Sequence, residues 1–113
     1  MNLTLSSEQR GKVWVLFIRG KIDQLSADEF HRQLKRYLAH CGVDGQSLVL
    51  DLSGVEYVSS AGLRIFMLAS REVKPRQGKL ALAGMQCVVK EIFEISKFSM
   101  LFPIHDRVED ALG

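Results

Sequence analysis

Two short apolar runs, Ser47–Leu52 (Ser-Leu-Val-Leu-Asp-Leu) and Lys79–Ala83 (Lys-Leu-Ala-Leu-Ala), bracket a longer stretch from Ser60 to Val73. The runs have strand length. The stretch between them carries Leu63, Phe66, Met67, Leu68 and Ala69 and has helix length. Strand, helix, strand in that order calls for a right-handed parallel crossover. The chain is therefore read as α/β.

The flanks extend this unit on both sides. Leu3–Leu5 alternates weakly and suits an edge strand. Lys12–Arg19 (Lys-Val-Trp-Val-Leu-Phe-Ile-Arg) is too continuously apolar for a half-exposed strand and is expected at the sheet centre. Gly11-Lys12 is read as a hairpin between the two, and Gly20 as the end of the second. Ser26 with Glu29 forms a capping-box pattern, and Leu25 with Phe30 is spaced for a hydrophobic staple. The helix they open has one apolar stripe, Phe30, Leu34, Tyr37, Leu38 and Cys41, and Gly42 is its expected stop. Arg32, Lys35, Arg36 and His40 make a solvated basic face, with His31 also outward. A third helix is predicted over about Gln86 to Ser96, with Val88, Ile92 and Ile95 turned inward. Phe102–His105 closes the sheet, and Asp106 with Glu109 opens a short last helix ending at Leu112. The order is β-β-α-β-α-β-α-β-α, a mixed sheet of four to five strands under about four helices.

Composition narrows the function. A chain of 113 residues makes one domain over 1–113, and one this size buries about 60–70% of its unfolded surface. Fifteen Lys and Arg against thirteen Asp and Glu leave a net charge of +2, too small a field for nucleic acid as a default partner. Cys41 and Cys87 cannot build a disulfide scaffold and have no zinc-site spacing, so they read as buried thiols. The longest clean apolar run, Val13–Ile18, is far too short to cross a bilayer. Met1–Ser7 lacks the regions of a signal peptide. A cytoplasmic domain without direct membrane insertion is expected.

The informative segment is Asp51-Leu-Ser-Gly-Val-Glu-Tyr-Val-Ser-Ser-Ala-Gly-Leu63. A strand is expected to end in a turn, a short apolar step follows, and two serines stand where a helix begins. Ala61 and Gly62 are small and leave the Ser60 hydroxyl uncovered. A helix start presents free amides and the positive end of the dipole, and tolerates a phosphate. Either Ser59 or Ser60 is only a cap, worth about 1 kcal/mol, or Ser60 is a phosphoacceptor or nucleophile.

This segment resembles the signature of the STAS domain family, specifically the anti-sigma factor antagonists. There a strand ending Asp-Leu-Ser is followed, after a gap, by a hydrophobic residue, Asp or Ser, a phosphorylatable Ser or Thr, any residue, Gly and Leu. Gly20-Lys21-Ile22-Asp23, Gly78-Lys79-Leu80 and Val108-Glu109-Asp110-Ala111-Leu112 extend the resemblance over essentially the whole chain. It implies phosphorylation at Ser60 and a protein-binding module that is not an enzyme and uses no metal or cofactor. It further implies partner switching. The unphosphorylated domain binds an anti-sigma factor that is also a serine kinase, releasing the sigma factor, and a serine phosphatase restores the modified form. Position 59 departs from the family, with Ser where many members have Asp. The expected contact surface joins Asp23 to Ser59, Ser60, Ala61, Gly62 and Arg64. It lies at the carboxyl edge of the sheet, where open α/β sheets place their sites. The alternative is an accessory subunit of a membrane lipid ABC transporter.

Other features point elsewhere. The Gly-x-Ser-x-Gly of a hydrolase elbow is missing around Ser60, and no phosphate-loop lysine follows Gly11 or Gly20. Trp14 and Phe17 are expected in the core. Phe93, Phe98 and Phe102 read mostly as packing, with Met100 and Leu101 partly available as an apolar patch for a partner.

Overall fold

The computed structural model describes residues 3–112. Five strands form one sheet in the order β1-β2-β3-β4-β5. They are β1 (Thr4–Arg10), β2 (Val13–Ile22), β3 (Ser47–Val58), β4 (Lys79–Ala83) and β5 (Ile104–His105). β1 runs antiparallel to β2, and the other three pairings are parallel. The helices are α1 (Ala27–Leu38), α2 (Ser60–Val73), α3 (Cys87–Ile95) and α4 (Val108–Leu112). The expected α/β class, mixed sheet and helix count are all present.

The first three helices share one face of the sheet. Phe30, Phe66 and Phe93, one from each helix, are fully buried there over Leu16, Ile18, Leu50, Leu52 and Leu82. Phe66 is the hub, with ring centroids 5.4 Å from Phe30, 5.2 Å from Phe93 and 6.4 Å from Phe102. The other face holds Val15, Val49 and Ala83 beneath Val108, Ala111 and Leu112 of α4.

Several boundaries depart from expectation. β1 continues through polar residues to Arg10, because an edge strand is held by its ladder and not by burial. β2 passes through Gly20 to Ile22. β3 does not stop at Leu52 but absorbs the expected turn and ends at Val58. Its 12 residues pair end to end with the 10 of β2, so the surplus is taken up at two register shifts. Gly54 lies in the bulged stretch, where a Cβ would stand 2.7 Å from Arg19 Cγ and 3.1 Å from the Ile18 carbonyl oxygen.

α1 starts at the expected place by a different device. Leu25 is exposed, so there is no staple, and Glu29 binds Arg32 and Gln33 rather than closing a capping box. Asp23 does the work instead: its Oδ1 accepts from the Leu25 amide at 3.0 Å and the Ser26 amide at 3.2 Å. Ser26 Oγ donates to the Lys21 carbonyl at 2.7 Å and accepts from the Asp23 amide at 3.0 Å. Phe30, Leu34 and Leu38 form the buried stripe. The helix ends at Leu38, before Gly42.

α3 is rotated relative to the prediction by one residue, about 100°. Val89 and Phe93 point inward, whereas Val88 and Ile95 are exposed and Ile92 is half-buried. Cys87 is exposed rather than buried. Trp14 and Phe17 are only half-buried; Trp14 packs edge-on against Tyr37 at 5.9 Å, and its Nε1 donates to Gln46 Oε1. His31 is half-buried rather than fully outward.

Candidate functional site

β2 and β3 are parallel and end together, with Ile22 opposite Val58. The segments that leave them, 23–26 and 59–60, therefore emerge on one edge of the sheet. The first link between them is a hydrogen bond from the Ser59 amide to the Ile22 carbonyl at 2.9 Å. Ser59 is extended (φ −85°, ψ 176°), and its Oγ accepts from the Gly62 amide at 3.2 Å. Ser59 is thus the N-cap of α2. Ser60 is the first helical residue, exposed and outside the cap.

Gly62 serves packing rather than uncovering Ser60. A Cβ there would stand 2.5 Å from the Ile22 carbonyl oxygen, 2.9 Å from Ile22 Cγ2 and 3.0 Å from Val58 Cγ1. The absence of a side chain lets the start of α2 press against the ends of both strands. Ala61 beside it is half-buried. Arg64 is exposed, one helical turn after Ser60 on the same face, and forms no ion pair among the described residues. The first turn of α2 carries no acidic residue, so nothing there offsets the positive end of its dipole.

The STAS domain model matches residues 4–111 of the chain. The chain belongs to the STAS domain family. A Listeria monocytogenes protein named anti-sigma-B factor antagonist is 30% identical over 105 residues, covering 92% of this chain and 90% of its own. The crystal structure of an anti-sigma factor antagonist from Mycobacterium paratuberculosis superposes with a TM-score of 0.84 at 24% identity, covering 97% of this chain and 91% of that one. SpoIIAA is similar in its unphosphorylated form (TM-score 0.76, 14% identity, 96% of this chain and 93% of that one). It is similar also in the phosphorylated Bacillus form (0.69, 13%, 96% of each chain).

This STAS domain brings the expected residues Asp23, Ser59, Ser60, Ala61, Gly62 and Arg64 to one edge, but in unequal roles. The Asp23 carboxylate is engaged in its own turn, Ser59 caps, Gly62 packs, and Ser60 and Arg64 face outward. Sequence reasoning missed three further residues. Leu25 (87% exposed) follows β2, Tyr57 (45%) precedes the end of β3, and Val88 (57%) lies in the first turn of α3, which follows β4. All belong to the carboxyl edge. Leu25 makes no staple, and Val88 lies outside the core. The signal available was that α3 is apolar at Cys87, Val88 and Val89 in succession, so one of them had to face out.

The two thiols differ in kind. Cys41 is buried and donates to the Lys79 carbonyl at 3.3 Å, and burial pushes its pKa up against the opposing pull of Arg76. Among the described residues there is no group of three His, Cys, Asp or Glu side chains able to hold a metal. No described helix is long and apolar enough to cross a membrane.

Proposed function

We propose that this STAS domain is an anti-sigma factor antagonist, a binding module and not a catalyst, whose hold on its partner is switched by phosphorylation of Ser60. The observation that carries the reading is the division between two adjacent serines. Ser59 is used by the cap, and Ser60 stands exposed in the first turn of α2. The relative named anti-sigma-B factor antagonist supports the class of partner.

The partner is an anti-sigma factor that is also a serine kinase, met in the cytoplasm where ATP and sigma factors are. It docks on the carboxyl edge, using the apolar Leu25, Tyr57 and Val88 around the polar Ser60 and Arg64. Transfer of the γ-phosphoryl group of ATP forms an O–P bond at Ser60 Oγ and breaks the bond to the departing ADP. The hydroxyl proton goes to a base of the kinase. The product carries about −1.5 to −2 charges at that point. Inside an interface an unpaired charge of this kind costs about 3–5 kcal/mol, so the complex separates. In the free domain the same group sits at the positive end of α2 with Arg64 one turn away, so the fold survives. A serine phosphatase hydrolyses the ester and restores the hydroxyl.

The test pairs the domain with the ATP-binding serine kinase encoded by a neighbouring reading frame. Ser60→Ala is expected to bind it fully and resist modification, and Ser60→Asp to bind about a hundredfold more weakly. Equal affinities would remove Ser60 from the interface. Phosphate mapped to Ser59 or Ser53 would move the site. Recovery of a permease or ATPase subunit with no phosphorylation cycle would favour the transporter role.

A further inference from the structure

At the opposite, amino edge of the sheet, β4 is only half paired on its outer side. β5 pairs with Leu82 and Ala83 alone. The Leu82 amide donates to the Pro103 carbonyl at 3.0 Å and the Gly84 amide to the His105 carbonyl at 3.1 Å. Bonding direction alternates along a parallel strand, so the amide and carbonyl of Leu80 face the same side as those of Leu82. The next rung would pair the Leu80 amide with the carbonyl of Leu101, and the Leu80 carbonyl with an amide hydrogen from residue 103, which is proline and has none. Among the described residues the Leu80 amide has no partner on that side, although Leu80 is only 5% exposed.

A groove of about 420 Å³ runs along this open edge. Val73, Leu80, Leu101 and Phe102 supply apolar walls, and Lys74, Lys79 and His105 also line it. No carboxylate does. Neither lysine takes part in an ion pair among the described residues. Met100, 81% exposed, stands next to Leu101 in the chain.

We propose that this groove receives an extended segment of a partner protein, alternating apolar and acidic residues, which adds a short strand to β4 at Leu80. The segment's backbone satisfies the open Leu80 groups, its apolar side chains enter between Val73 and Leu101, and its carboxylates meet Lys74 and Lys79. Main-chain pairing supplies affinity and the alternate side chains supply selectivity, as in other strand additions. Charge complementarity sets the sign of the segment, since the lining offers cations alone among its ionised groups. The groove lies at the end of the sheet away from Ser60, so a segment bound here leaves the phosphorylation edge free. The domain can then be tethered through one end while the other switches.

The probes are three fluorescein-labelled hexapeptides, followed by anisotropy, with hydrogen exchange read at the Leu80 amide. One alternates valine and glutamate, one alternates valine and lysine, and the third is the glutamate peptide N-methylated at every second residue. The glutamate peptide should bind and slow Leu80 exchange. The double variant Lys74→Gln/Lys79→Gln should weaken it about tenfold, and Ser60→Asp should leave it unchanged. Equal binding by the lysine or N-methylated peptide overturns the proposal, as does binding with Leu80 exchange unaltered. Octanoate binding where the glutamate peptide does not would make the groove a small-molecule site and overturn it too.

Discussion

The carbonyl oxygen of Ile22 lies 2.5 Å from where a Cβ on Gly62 would stand, while the same oxygen accepts the Ser59 amide at 2.9 Å. One backbone atom at the end of β2 therefore sets both the cap and the first turn of α2. The position of Ser60 follows from that contact.

Gly62→Ala should therefore be destabilising although alanine favours helices. The methyl must displace backbone, an overpacking cost of about 1–3 kcal/mol. Urea unfolding should show the loss, and binding of the proposed kinase partner should fall with it because the Ser60 turn is pushed away from β2. An alanine variant as stable as the parent would mean the contact relaxes freely.

Ser59→Ala and Ser60→Ala should separate cleanly. Losing the cap bond to Gly62 should cost about 1 kcal/mol, whereas the exposed Ser60 should change stability by less than about 0.5 kcal/mol. Ser59→Asp should keep stability, since aspartate caps equally well. Serine and aspartate are thus interchangeable as the cap of α2 at position 59. Denaturation midpoints of the three variants check the order.

Asp23 holds the turn into α1, so its charge and its acceptor oxygen must be tested apart. Asp23→Asn keeps an oxygen for the Leu25 and Ser26 amides and should fold with nearly parental stability. Asp23→Lys removes it and should lose about 1 kcal/mol or more. If the asparagine variant binds the proposed kinase partner normally, Asp23 acts on the proposed interface through the turn. Weak binding at full stability would assign the role to its charge.

Cys41 links stability to alkaline pH. Burial raises its pKa in the folded state above the ordinary thiol value of 9.0. Over that interval the unfolded chain has released a proton that the native chain retains, so stability falls as pH rises. The contribution is fully present below about pH 9 and is lost above it as pH climbs through the folded-state value. The difference in unfolding free energy between the parent and Cys41→Ala should narrow above that pH. A thiol reagent should label exposed Cys87 in the native domain and reach Cys41 only on unfolding.

Much of this protein was decided locally and is legible in its residues. The element order, the span of α2 from Ser60 to Val73 and the placing of two serines at its start rest on strand length, helical spacing and capping chemistry. Those interactions act within a few residues. Tertiary structure decided the rest. β3 runs on through Ser53-Gly54 because β2 is there to pair with it and bulges absorb the surplus, a matter of two strands and not one. α3 is apolar on more than one side, and the place left beside Phe66 selected Phe93 for the core and turned Val88 out. Asp23 displaced the expected cap and staple because Ser26 Oγ was drawn to the Lys21 carbonyl. The Leu80 carbonyl is left open because the residue whose amide would reach it, 23 positions along the chain, is Pro103, which has no amide hydrogen. Contacts between residues far apart in sequence decide which surfaces remain exposed, and no local pattern encodes them.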